Sequence, residues 1–258
     1  MIKKINKNNN LTACTNCSSE NIIHLKGFEK HFLLRCNNCL FIFDKRIPTV
    51  HQLDKIYSKY SYSERRQCSP ATIISYEVLL DKLQAFRVNS RILDVGCGQG
   101  DFLRTARKRG WQVYGTEYSQ AAVKLLLEDQ INVVQGALTE KTFINLKFDI
   151  ITSFEVFEHI NNASDEIKLI KNKIRPGGLF YLTTPNFNSI LRYLEQVNFK
   201  IIAWPEHISF YTPSSLRYLA VSNGMQTKKI VTTGIDPKRL KAFFHLDRDQ
   251  YSAHSSST

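Results

Sequence analysis

Three groups of side chains in this chain have types and spacings suited to chemistry. They are two cysteine pairs, two histidines that each follow a glutamate, and an aspartate leading into a glycine-rich turn. Cys14 and Cys17, then Cys36 and Cys39, form C-x2-C pairs eighteen residues apart. Two thiolates from each tight turn make the tetrahedral donor set of a zinc ribbon, and four thiolates leave the ion no open position, so the role is structural. Neither pair is followed by glycine, since Ser18 and Leu40 stand there. Disulfides are the poorer reading, because the chain opens on a polar, Asn/Lys-rich stretch rather than a signal peptide. Cys68 and Cys97 have no such partner.

Glu155-Val156-Phe157-Glu158-His159 follows an apolar run, and helical spacings of three and four would bring Glu155, Glu158 and His159 together. Trp204-Pro205-Glu206-His207 precedes a helix that Thr212 caps and Pro213 opens. On the residues alone His207 reads as a histidine hydrogen-bonded beneath the helix cap. Asp94-Val95-Gly96-Cys97-Gly98-Gln99-Gly100 is a turn in which glycine lets backbone turn sharply and a ligand approach closely. Glu117 lies about twenty residues further on, where a nucleoside-binding α/β domain places a carboxylate for ribose hydroxyls.

The elements that must position these groups alternate. Ile92 to Val95 reads as a buried parallel strand, and Phe102, Leu103 and Ala106 open a helix. Strands follow at 111–117, 131–136, 148–154 and 179–184, with helices between them (Ala121, Ala122, Leu125 and Leu126 facing inward in one, Ile167, Ile170 and Ile174 in another). This order predicts an α/β fold with a doubly wound, mostly parallel sheet and a small zinc ribbon at the N-terminus. Residues 1–45 are assigned to the ribbon, with strands on either side of Gly27. Residues 46–88 form a helical connector, in which His51–Tyr57 and Ile73–Leu83 are helical. Tyr57, Tyr60 and Tyr62 there either pack or form part of a lid. The main domain spans 89–235, with a late strand at 227–232, and residues 236–258 are a Ser-rich tail expected to be disordered.

The chain resembles class I S-adenosylmethionine-dependent methyltransferases over about residues 88 to 235. The resemblance rests on Asp94–Gly100, Glu117, Phe148-Asp149-Ile150-Ile151 and Arg175-Pro176-Gly177-Gly178-Leu179-Phe180. With the cysteine pairs included, it is similar to bacterial sugar and cell-envelope methyltransferases that carry a four-cysteine zinc module. The resemblance implies a Rossmann-like fold and S-adenosylmethionine as cofactor. It implies that Asp94 orients the turn and reaches toward the methionine amine, and that Gly96 and Gly98 admit the methionine end. Glu117 then takes the ribose, Tyr118 packs on adenine, Ala137 and Leu138 meet the adenine edge, and Ser153 and Phe154 flank the sulfonium. It also implies catalytic roles for Glu155, His159 and His207. The E-x-x-E-H segment resembles one that helps bind a divalent metal in ubiquinone-pathway and small-RNA 2′-O-methyltransferases. The segment around His207 resembles the Y-H-E-H-x-S-Y-F of sugar C-methyltransferases, with Trp204 and Pro205 replacing the Tyr and first His. A dehydrogenase is disfavoured because Asp101 occupies the place of the third fingerprint glycine.

The net charge of +12 over 258 residues favours an anionic partner, but the Lys and Arg residues are scattered in short groups. No apolar run reaches membrane-spanning length, so the expected place is the cytoplasm. The expected function is methyl transfer to a hydroxyl, or a carbon, of a small molecule such as a nucleotide-linked sugar or envelope precursor. The alternatives are an RNA methyltransferase holding RNA through the ribbon and basic surface, and a non-catalytic adaptor.

Overall fold

The computed structural model describes residues 5–6, 10–57 and 68–232. The N-terminal sheet begins with β1 (Ile22–His24), β2 (Leu33–Cys36) and β3 (Ile42–Asp44), an antiparallel meander. Two helices follow, α1 (Val50–Tyr57) and α2 (Pro70–Leu83), the second capped by Ser69 with proline at its first position. The main domain then runs β4 (Arg91–Val95), α3 (Asp101–Lys108), β5 (Gln112–Glu117), α4 (Gln120–Glu128), β6 (Asn132–Gln135), β7 (Phe148–Phe154), α5 (Ala163–Lys173) and β8 (Ile174–Thr183). The chain closes through α6 (Ile190–Glu195), the two-residue β9 (Ser209–Phe210) and α7 (Pro213–Ser222).

Five of these strands form a parallel sheet in the order β6-β5-β4-β7-β8. The order reverses at β4, so β4 and β7, the most apolar strands, lie inside and the crevice opens at their C-terminal ends. Asp149 fastens the N-terminal end of the sheet. One carboxylate oxygen accepts from the amides of Val88 and Asn89 at 3.0 and 2.9 Å, and the other takes the Arg175 guanidinium. Gly178 is required beside it, because an added Cβ would stand 2.8 Å from the Asp149 carbonyl oxygen.

The N-terminal sheet is not closed by its own residues. β9 pairs antiparallel with β3, Ile42 opposite Phe210 and Phe43 opposite Ser209, to give the order β1-β2-β3-β9. One apolar cluster then runs from Cys14, Cys36, Cys39, Phe41 and Phe43 through Tyr211 to Val95, Ile151, Phe157 and Ile167. The cysteine module and the parallel sheet therefore share a core.

Several expectations need correction. Residues 227–232 form no strand. Ala121 is exposed on α4, and Val123 takes its inward place beside Ala122 and Leu126. Ile174 is not the last turn of a helix: its extended backbone starts β8. Tyr60, Tyr62 and the 236–258 tail lie outside the described residues, as does the side chain of Tyr57. No helix among the described residues is long and apolar enough to cross a membrane.

Candidate active site

The turn after β4 is built by backbone geometry. Gly96, Gly98 and Gly100 have φ of +72°, +54° and +81°, the left-handed region that residues with a Cβ avoid. Space demands glycine as well. An added Cβ at Gly96 would stand 2.5 Å from Val156 Cγ2, and one at Gly100 would stand 2.2 Å from Leu126 Cδ2. The Gly96 and Cys97 amides donate to the Thr116 carbonyl, which leaves the turn open towards the strand ends.

Asp94 lies beneath this turn, 2% exposed. Thr152 Oγ1 donates to its Oδ1 at 2.7 Å, and no Lys or Arg among the described residues pairs with it. Burial pushes its carboxyl up to about 7, against the Thr152 bond and with help from the charge of Glu117. A buried acid held in this way can be completed by a cationic group. Glu117 ends β5, with one oxygen accepting from the Gly98 amide and the other from the Ser119 amide, both at 2.8 Å. The strand-end acid and the glycine turn are thus one hydrogen-bonded unit. Tyr118 beyond it is 56% exposed at the edge of the crevice. Ala137 is exposed, but the Leu138 side chain is in the core, so Leu138 offers only its backbone to a ligand. Ser153 is fully buried with its hydroxyl donating to the Val95 carbonyl at 3.4 Å, so its side chain faces the sheet and not the crevice.

Phe154 ends β7 in an aromatic group with Phe102 (5.0 Å between ring centres), Tyr76 (5.6 Å) and Tyr181 (5.7 Å). Tyr76 comes from α2, where its spacing marks it only as a packing residue. Burial, then the charge of Asp94, pushes its phenol up to about 12, so the hydroxyl stays protonated. Only its placement by α2 over the strand ends connects it to the site.

The second cluster joins residues far apart in sequence. Glu158, His159 and His207 offer one ligand atom each, all within 4.8 Å of one another, and the two imidazoles lie 4.9 Å apart edge to face. His159 Nδ1 is 2.8 Å from the Glu206 carbonyl oxygen, and His207 Nδ1 is 2.8 Å from that of Ile201. A carbonyl only accepts, so each Nδ1 carries a proton, which fixes both ring orientations and means that either ring in its neutral form has its lone pair on Nε2. Burial, then His207, holds His159 below its ordinary range, in the neutral form. Glu158 is 2% exposed, accepts from Thr184 Oγ1 at 3.0 Å, and is pushed by burial up to about 8. Two imidazole lone pairs and a carboxyl with their second nitrogens anchored on carbonyls suit a proton acceptor or a divalent cation. Glu155 does not join them. The segment makes a single 3-10 turn over Phe157–His159, while Glu155 is exposed with φ of +54°. The helical spacing that would have gathered it never forms.

The four cysteines are also together, their Sγ atoms all within 4.8 Å and the Cys14–Cys39 and Cys17–Cys36 pairs 3.5 Å apart. Ser18 and Leu40 stand at φ of +62° and +59°, and their amides donate to the Cys14 and Cys36 carbonyls at 2.8 and 3.0 Å. The two knuckles thus have matching backbones without the glycine that eases such a turn. The hydrogen bond with Cys39, then burial, pushes Cys14 far up, while Cys14's hydrogen bond holds Cys39 down to about 6. In a thiol pair this close the first ionisation is eased and the second suppressed, and a divalent cation would relieve the repulsion between two thiolates. The donor set fits zinc.

A family model described as a methyltransferase domain matches residues 62–229. The chain is 29% identical over 170 residues to a ubiquinone biosynthesis O-methyltransferase of Coxiella burnetii, covering 61% of this chain and 72% of that one. It is 24% identical over 200 residues to the protein of that name from Leptothrix cholodnii, covering 71% and 81%. Among solved structures, the plantazolicin methyltransferase BpumL in complex with SAH is similar, with a TM-score of 0.54 at 20% identity over 79% of this chain and 85% of that one. That likeness is one of fold.

Proposed function

The chain belongs to the methyltransferase-domain family and is an S-adenosylmethionine-dependent enzyme, and from that premise we propose that it methylates a hydroxyl of a small molecule. The observation that carries the choice of oxygen is the convergence of His159, His207 and Glu158 beside the crevice, both histidines anchored through Nδ1 on backbone carbonyls. A hydroxyl must lose its proton as it attacks, and a neutral imidazole near its working pH is the usual acceptor. Relatives named as O-methyltransferases agree with oxygen as the nucleophile.

Bound S-adenosylmethionine supplies a methyl group on a sulfonium centre. Asp94 carries the negative charge for the methionine amine, and Gly96 and Gly98 admit the methionine end. Glu117 faces the ribose, Tyr118 and the backbone at Ala137 and Leu138 face adenine, and Phe154 borders the sulfonium side. His207 Nε2 takes the acceptor's proton, with His159 and Glu158 shaping the same point. A second reading is favoured by the carbonyl-anchored Nδ1 atoms: the three groups hold a divalent cation that lowers the hydroxyl's pKa. Cys14, Cys17, Cys36 and Cys39 hold a structural zinc ion.

The test is methyl-labelled S-adenosylmethionine offered with nucleotide-linked sugars, phenols and RNA, with the labelled product characterised. We expect a methyl ether on a small molecule. His207→Ala should lower turnover about 100-fold or more while cofactor affinity stays within about twofold. A product methylated on nitrogen, or near-full turnover in His207→Ala, would overturn the reading.

A further inference from the structure

The segment that orients both histidines is held from outside the methyltransferase domain. Ile201 and Glu206 supply the carbonyls that fix His207 Nδ1 and His159 Nδ1, and the turn between them is closed by the Glu206 and His207 amides donating to the Ala203 carbonyl at 2.8 and 2.9 Å. Trp204 stands in that turn. The Arg46 guanidinium lies 3.9 Å from its ring centre and 4.3 Å from that of Phe32. Arg46 cannot swing away, because Asp44, 2% exposed, receives its Nε at 2.9 Å and its Nη2 at 2.6 Å. The adjoining backbone is tied to both sides. The Ile208 amide donates to the Glu158 carbonyl and the Asp44 amide donates to the Ile208 carbonyl, each at 2.9 Å.

We propose that the cysteine module is the positioning element of the histidine cluster, and that Arg46, fixed by Asp44, is a positioning residue for His207 and His159 through Trp204. The inference rests on the proposed role of the cluster for its catalytic consequence, but not for its geometry. Arginine suits the task because its planar guanidinium stacks on a ring while its edge forks onto a carboxylate, which lysine cannot do together. A shift of about 1 Å in the two carbonyls would re-aim both Nε2 atoms, and displacements of that size cost about 100-fold in well-aligned reactions.

Simple removal of Arg46 would strand the buried Asp44 carboxylate. The variants are therefore Arg46→Met combined with Asp44→Asn, Trp204→Ala, and all three substitutions together, with Trp204→Phe as the conservative control. Each is made in the full-length protein. The readouts are the imidazole carbon–proton resonances of His159 and His207, S-adenosylmethionine affinity by calorimetry, and turnover on the acceptor found as above. We expect both resonances to move in the first two variants, turnover to fall about tenfold or more, and cofactor affinity to hold within about twofold. The combined variant should fall no further than Trp204→Ala alone, since the two sites act through one contact, and Trp204→Phe should stay close to the parent. Resonances that move while turnover holds would keep the positioning role and remove His207 as base. Unmoved resonances, additive losses, or cofactor affinity falling in step with turnover would overturn the proposal.

Discussion

The protonation of Asp94 makes cofactor binding depend on pH in a direction that can be worked out. Its carboxyl is raised from 3.8 to about 7 by burial, so in the free protein it is neutral in mildly acidic solution. An unfolded chain would ionise it above about 4 and so bind fewer protons than the fold. The apo fold consequently loses stability as pH rises from about 4 to about 7, by about 4 kcal/mol at 1.36 kcal/mol per unit. On the role proposed for Asp94, a methionine ammonium beside the carboxylate would reverse that cost, and the cofactor would bind the ionised form. The ionised fraction falls about 25-fold between pH 7.5 and pH 5.5 for a group of pKa about 7, so S-adenosylmethionine affinity should fall by about that factor. Near pH 6 binding should release close to one proton. Calorimetry in two buffers of different ionisation enthalpy measures affinity and proton release together, and Asp94→Asn should lose both the tight binding and the pH dependence. A flat affinity from pH 5.5 to 7.5 with no proton released would refute the argument, as would full affinity in Asp94→Asn.

Two further outcomes follow from the geometry. Gly100→Ala places a Cβ 2.2 Å from Leu126 Cδ2 at a φ of +81°, and both strain and overpacking oppose it. The variant should lose about 2–4 kcal/mol, read as a lowered midpoint in urea unfolding, and an unchanged midpoint would contradict the placement of α4. Purified protein should contain about one zinc ion per chain, and Cys17→Ser should lose the metal and melt several degrees lower. Elemental analysis finding almost no zinc in the parent would remove the metal from the module.

The parts of the site readable in the sequence are those made by local chain. Glu117 was placed because strand, turn and helix lengths in an α/β unit fix where a second-strand acid falls, and its bond to the Gly98 amide is the result. Thr212 and Pro213 marked the start of α7 by cap chemistry, which involves only neighbours, and the full capping box is present. The four cysteines announced their meeting by spacing. The histidine cluster was half legible. His159 and His207 each stood out, but nothing local relates residues 48 apart, and the expectation that Glu155 would join was a helical argument applied to a segment with one 3-10 turn. Arg46 carried no pattern at all and Trp204 stood out only as a departure from the motif around His207, because a cation on a ring leaves no periodic trace. A two-residue strand such as β9 is too short for alternation to reveal.

That short strand has a consequence for how the polypeptide is made. The third strand of the N-terminal sheet finds its outer neighbour only at Ser209 and Phe210, more than 160 residues downstream. During synthesis the cysteine module emerges first, and its strand edge must wait, amides and carbonyls unpaired, until nearly the whole methyltransferase domain has left the ribosome. Ion capture by the two knuckles can happen early, because each is closed by its own local turn. Completion of the sheet cannot. The pairing of β9 with β3 adjoins the loop that carries His207 to Glu158 and His159, so a chain truncated before residue 209 should keep the glycine turn after β4 and lack the strand that holds the histidine loop in place.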